Sequence, residues 1–171
     1  MDIVKADICD AGLVKQLSHE TIESVYPHYY PRGAVDFFLA HHSMDHIIKD
    51  IEEGNVWLIN SEGKAVGTVT LNGNEWLINS EGKAVGTVTL NGNEINRLFV
   101  LPQCQGKGFG RELMLFAEKT IFSRYDKAEL SASLPAKTMY LKNGYKFSEY
   151  HIIDCENGDK LCFDYLIKCK S

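Results

Sequence analysis

A chain of 171 residues with 44% hydrophobic content is long enough to bury one core, and a single domain spanning 1–171 is expected. A formal net charge of −5 and a sequence pI near 5.7 count against a nucleic-acid surface, which needs a basic patch. No apolar run approaches the ~20 residues of a membrane span, so no membrane partner is expected either.

The N-terminal MDIVKADICD has acidic residues and lacks the apolar stretch of a secretory signal. The cysteines (Cys9, Cys104, Cys155, Cys162 and Cys169) are odd in number and form neither a CxxC pair nor a zinc spacing. Reduced thiols, a cytoplasmic location and no bound metal follow as expectations.

In chain order, Ile3–Ala6 is a short strand. Asp10 can cap a helix whose apolar positions Leu13, Leu17, Ile22 and Val25 recur mostly at three or four. Pro27 and Pro31 punctuate an aromatic loop, YPHYYPRG, before a second helical stretch over about residues 34–53. That stretch is expected to break at 41–43, with Ser43 as a new cap and Gly54 as the terminator. His42 and His46 share a helix-face spacing there, but HExxH is absent and no third ligand is evident. With His41 they read as surface or cleft histidines.

Next comes WLINSEGKAVGTVTLNGNE, twice: residues 57–75 and 76–94 are the same nineteen letters. Each copy reads as strand, turn and strand, followed by the strong turn signal NGNE. Diverged copies of a solenoid or propeller would number three or more, so an identical pair points to a recent duplication, natural or engineered. Three arrangements compete. The second copy builds the native hairpin, the first copy does, or the two share it, with 65–71 and 76–79 forming an extra hairpin between. The first is expected, because the second copy runs directly into Ile95.

Ile95–Val100 is a further strand, stopped by Pro102, and a helix follows over about residues 106–124 with Leu113, Phe116, Ala117, Thr120 and Ile121 on one face. A short strand (128–131), a short helix (135–142) and a terminal hairpin around Asn157-Gly158 complete the chain. Cys155 and Cys162 flank that last turn, where packing rather than a bridge is expected. The order implies an α/β (α+β) fold: a mixed, largely antiparallel sheet flanked by helices, carrying an extra β-hairpin from the duplication.

The densest chemistry lies in LFVLPQCQGKGFGREL, residues 98–113. Glycines at 106, 108 and 110 open a helix directly after a strand. There, backbone N–H groups and the helix dipole can receive an anion without obstruction from Cβ atoms. A Walker loop is excluded because GxxxxGK[ST] is absent. A dinucleotide fingerprint is disfavoured because the spacing is GxGxG and Asp126 precedes a strand rather than following one.

VLPQCQGKGFG, residues 100–110, resembles the acetyl-CoA signature of the GNAT superfamily of N-acetyltransferases, V-x-P-x-x-Q/R-G-x-G-x-G/A. AKTMYLKNGY, residues 136–145, is similar to that family's A-x-x-x-Y-x-x-x-G-F/Y segment. The resemblance implies acetyl-CoA as co-substrate and direct attack by a primary amine of a small molecule or peptide in a ternary complex. It implies that backbone groups of Leu98, Phe99 and Val100 meet the pantetheine arm, and that Gln105, Gly106, Lys107, Gly108, Phe109 and Gly110 hold the pyrophosphate. Tyr140 would be the general acid that protonates the leaving sulfur, and Glu94 the base, acting directly or through water. Ser133 stands where the family often has an Asn against pantetheine.

Cys104 lies inside the signature, but the implied scheme has no use for a nucleophile there. Acceptor specificity would come from the first two helices and the loop of Tyr26, His28, Tyr29, Tyr30 and Arg32. The rival reading is a catalytically idle acyl-CoA-binding or self-associating module, with the duplicated hairpin blocking the cleft or swapping strands in a homodimer.

Overall fold

The computed structural model describes residues 2–61, 70–71, 74–75 and 83–170. The elements run β1 (Asp2–Lys5), α1 (Ala11–Val25), α2 (Arg32–His41), α3 (Met44–Glu52), β2 (Val56–Ser61), β3 (Thr70–Leu71), β4 (Asn74–Glu75), β5 (Lys83–Asn91), β6 (Glu94–Val100), α4 (Phe109–Phe122), β7 (Lys127–Ala132), α5 (Leu134–Lys142), β8 (Lys146–Asp154) and β9 (Lys160–Cys169). Seven strands form one sheet in the order β1-β2-β5-β6-β7-β9-β8. Its pairings are antiparallel except β6 with β7. The expected mixed, largely antiparallel sheet with flanking helices is what the chain forms.

Helices cover both faces, so the central strands are apolar on both sides. In β2, Val56 and Leu58 join Val14, Leu17, Ile47 and Ile51 from α1 and α3, whereas Ile59 turns to the opposite face with Leu113, Met114 and Ile121 of α4. Gly86 lets β6 come close: a Cβ there would lie 2.8 Å from the Phe99 carbonyl oxygen. The helical break falls where expected. The Ser43 side chain accepts from His46 N–H (3.4 Å), and Gly54 ends α3 with φ +74°.

The N-terminal cap differs from expectation. Asp10 spends its carboxylate on the Asp7 N–H (2.9 Å) in a capping box around residues 8–10, and offers no side-chain cap to α1. In the terminal hairpin Cys162 stands opposite Ile152, and Cys155 and Cys162 are both free thiols, without a bridge.

The two copies share the core hairpin, and the expectation that the second supplies it whole is not met. β2 comes from the first copy and β5 from the second, paired from Val56↔Thr89 to Ser61↔Lys83. Between them Thr70–Leu71 pairs with Asn74–Glu75, and the rest of the expected extra strands, 65–69 and 76–79, lies outside the described residues.

The residues flanking the copies explain the choice. Val56, ahead of the first copy, is fully buried in the α1/α3 cluster, and its carbonyl accepts from Ala6 N–H (2.9 Å). Building β2 from the second copy would put Glu75 in that place, and a carboxylate in an apolar cluster costs several kcal/mol, or a proton. At the other end, Asn91↔Glu94 closes the tight turn into β6, which only the second copy can supply. The surplus therefore goes to the β2–β5 connection, where a longer loop adds only about 2 kcal/mol of closure entropy.

Removing either copy leaves the same sequence, because the letters are identical. That shorter chain is expected to keep the fold and to melt roughly 5 °C higher. Thermal unfolding of the two proteins side by side checks this, and loss of soluble folded protein on deletion would contradict it.

Candidate active site

The site begins where β6 and β7 part. The two strands are paired in register only at Glu94↔Glu129, beside the bond from Glu129 N–H to the Asn93 carbonyl (3.0 Å). Beyond that point β6 runs on to Val100 beside β5 alone, while β7 turns to β9. A wedge therefore opens towards the C-terminal ends of both strands. A bulge marks the divergence: Leu90 faces Ile95 and Thr89 faces Arg97, which leaves Asn96 as the extra residue of β6.

At the wide end, Leu101 leads through a short turn at Pro102–Cys104 into the glycine loop. Gly106 and Gly108 have φ of +75° and +92°, the left-handed region that glycine enters without strain, and a Cβ on either would meet only open space. The first bond into α4 is Glu112 N–H to the Gly108 carbonyl (3.0 Å). The N–H groups of 106–111 find no backbone acceptor among the described residues, so the loop is an array of free donors at a helix start.

The singled-out residues divide by what each can present. Lys107 is exposed, whereas Phe109 turns its ring into the core and leaves only its backbone to the loop. A Cβ added at Gly110 would come into ordinary contact with Leu98, Val100 and Met139. Leu98 packs towards α4, while Phe99 is buried on the opposite face with Tyr26 and Tyr30. The Gln105 side-chain amide donates to the Val100 carbonyl (3.0 Å), which the Thr21 hydroxyl also approaches (3.3 Å). Gln105 thus ties the loop back onto the strand, and the Val100 carbonyl is already taken.

Side chains from both faces of the sheet meet at the wedge. Tyr140 of α5 is buried edge-on to Tyr145 (5.5 Å between centroids). Burial, with Tyr26 nearby, pushes its hydroxyl well above the ordinary phenol range, so it holds its proton. Ser133 precedes α5, and its side chain makes no cap bond to the helix. It accepts instead from the Tyr26 hydroxyl (3.2 Å), whose own pKa burial pushes up to about 12.

At the narrow end, Glu94 is half-buried. Burial, then the Glu129 carboxylate, raises its pKa. Glu129 itself is held low, first by the Lys127 ammonium, and it accepts from the Tyr165 hydroxyl (2.9 Å). Glu94 thus lies where β6 and β7 are still paired, whereas Tyr140 is carried by α5, which follows the far end of β7. A cavity of about 340 Å³ lies elsewhere, between Gly33, Asp36 and Phe37 of α2 and Glu156 and Asn157 of the β8–β9 turn.

Sequence reading missed the network behind β6. Arg97 is buried in mid-strand, pairs with Asp50 of α3 (2.8 Å), and donates to His42 Nδ1 (3.0 Å) and Thr89 Oγ1 (3.3 Å). His42 is correspondingly a buried histidine and not a surface or cleft one. Burial and the Arg97 charge depress its pKa to about 2, so it stays neutral and accepts. An arginine inside the apolar run INRLFV was the available signal, but Asp50 and His42 lie forty or more residues away in sequence. Among the described residues no group of His, Cys, Asp and Glu is arranged to hold a metal, and no helix is long and apolar enough to cross a membrane.

Comparison with known proteins places this architecture. The family model described as "Acetyltransferase (GNAT) domain" matches residues 52–147. A GCN5-related N-acetyltransferase from Rhodopseudomonas palustris superposes with a TM-score of 0.78 at 19% identity, covering 99% of this chain and 95% of that one. The PaiA N-acetyltransferase from Thermoplasma acidophilum, solved in complex with coenzyme A, gives 0.66 at 17% identity over 99% and 98% of the two chains. The ribosomal-protein-S18-alanine N-acetyltransferase from Escherichia coli gives 0.64 at 13%, over 99% and 94%. No curated protein matches by sequence.

The network behind β6 makes stability depend on pH. Because His42 is held neutral in the fold, its contribution is complete above its unfolded pKa of 6.5 and is lost as pH falls towards about 2. Stability to urea is expected to fall by about 1 kcal/mol for each pH unit below 6.5 from this group. His42→Asn, which keeps an acceptor near Nδ1 but does not titrate, should flatten that slope between pH 6.5 and 5. An unchanged slope would remove His42 from the balance.

Proposed function

This chain belongs to the GNAT family of acetyltransferases, and on that premise we propose that it moves the acetyl group of acetyl-CoA to a primary amine of a small molecule or peptide. The observation that carries the reading is the wedge: β6 loses its partner β7 after Glu94 and ends in a loop of free N–H donors. The open space over Gly106 and Gly108 suits a diphosphate, and the backbone of Leu98 and Phe99, on the stretch of β6 that β7 has left, suits a pantetheine arm. Lys107 adds a positive charge beside the diphosphate, and Ser133 a hydroxyl at the edge of the wedge.

Acetyl-CoA, when bound, supplies an activated thioester and a thiolate as leaving group. Tyr140 keeps its proton at neutral pH and passes it to the departing sulfur. Glu94 takes the proton that the attacking amine gives up, directly or through one water, and its raised pKa brings it closer to that task. Backbone donors at the wedge stabilise charge on the carbonyl oxygen, a contribution of roughly 3 kcal/mol per donor in enzymes generally. The acceptor enters from the α1/α2 side.

The test is release of CoA thiol from acetyl-CoA with n-butylamine, 1,4-diaminobutane, lysine amide and an alanine-terminated peptide. Tyr140→Phe is expected to lower kcat by about 10- to 100-fold with acetyl-CoA affinity unchanged. Glu94→Gln should abolish the acidic limb of kcat/KM, which in the unaltered protein lies above the ordinary carboxylate range. Binding of acetyl-CoA without turnover on any of the amines would favour the idle-module reading instead.

A further inference from the structure

The start of α5 is held in an unusual way. Ser133, at the capping position, gives the helix no side-chain bond because its hydroxyl is engaged by Tyr26. The first helical N–H, that of Leu134, is taken instead by a residue more than a hundred positions away: it donates to the Tyr30 hydroxyl at 2.7 Å. The same hydroxyl donates to the Cys162 carbonyl of β9 at 3.0 Å. One phenol oxygen therefore ties the segment after α1, the first turn of α5 and the sheet together.

Tyr26 and Tyr30 are both buried. They form an aromatic cluster with Phe38 of α2, with ring centroids 5.7 Å apart between the tyrosines and 4.7 and 5.3 Å from each to Phe38. Rings inside such a cluster have fixed orientations, so their hydroxyls are fixed points. The helix they hold is only Leu134–Lys142, and it carries Tyr140 less than two turns from the capped end. A displaced first turn moves Tyr140 with it.

We propose that Tyr30, assisted by Tyr26, is a positioning residue for Tyr140, setting the reach of the acid by capping α5 from the acceptor-side helices. The inference rests on the reading of Tyr140 as the general acid. It replaces the expectation that both tyrosines rim the acceptor pocket, since their rings are buried and their hydroxyls face α5. Tyr29, by contrast, is exposed and is free to serve such a rim.

Tyr30→Phe removes the two hydrogen bonds and keeps the ring. With acetyl-CoA and whichever of the four amines above reacts fastest, it is expected to lower kcat about tenfold, with KM for acetyl-CoA unchanged. The decisive measurement is the cycle of Tyr30→Phe, Tyr140→Phe and the double variant. If Tyr30 acts through Tyr140, its removal slows the native enzyme but not the Tyr140→Phe enzyme. Equal slowing in both backgrounds, or none in the native one, overturns the proposal while leaving Tyr140 in its role. A Tyr140→Phe enzyme as fast as the native one removes the acid itself and the proposal with it. If Tyr30→Phe does not fold, Tyr26→Phe, which cuts only the bond to Ser133, runs the same cycle with the same outcomes.

Discussion

The parting of β6 from β7 after the Glu94↔Glu129 pair is the constraint on which the rest of the site depends. Two parallel strands in mid-sheet would normally satisfy each other's backbone groups along their whole length. Here one strand bulges at Asn96 and leaves its neighbour, which exposes a row of polar backbone groups inside an otherwise covered sheet. Such a gap is costly unless something holds the strands apart. On one side Arg97, paired with Asp50 and His42, anchors the bulged strand to α3 and to the loop after α2. On the other, β7 is committed to β9 over six consecutive pairs.

The aromatic loop after α1 acquires a different meaning in this setting. As a string of letters, YPHYYPRG looks like a binding rim, because tyrosine, histidine and arginine are the residues of polar recognition. In the fold the prolines turn the chain so that Tyr26 and Tyr30 point inward, and both phenol oxygens are spent on the start of α5. The helix bearing the proposed acid therefore takes its position from α1 and α2, the elements expected to meet the acceptor. A change of acceptor shape in those helices would also reach the acid.

The tandem repeat separates what identity of sequence can specify from what context specifies. Within the nineteen letters, nothing distinguishes one copy from the other, and every core contact of β2 or β5 is available to either. The decision falls to single residues outside the repeat: Val56 must be apolar where Glu75 is not, and the tight turn must lead directly into β6. Both junctions are kept by drawing one strand from each copy.

Much of the fold and the glycine loop was legible because their causes are local. The apolar run WLI, the cap at Ser43, the stop at Pro102 and the left-handed glycines at 106 and 108 act over a few residues. The two motifs, 100–110 and 136–145, were enough to indicate the acetyltransferase family before any geometry was known. What only the tertiary structure decided are relations between distant residues: Arg97 with Asp50 and His42, Tyr30 with Leu134 and Cys162, and first-copy β2 with second-copy β5. Each turns on which group loses water against which partner. Desolvation is a property of the packed neighbourhood, so no window of sequence contains it.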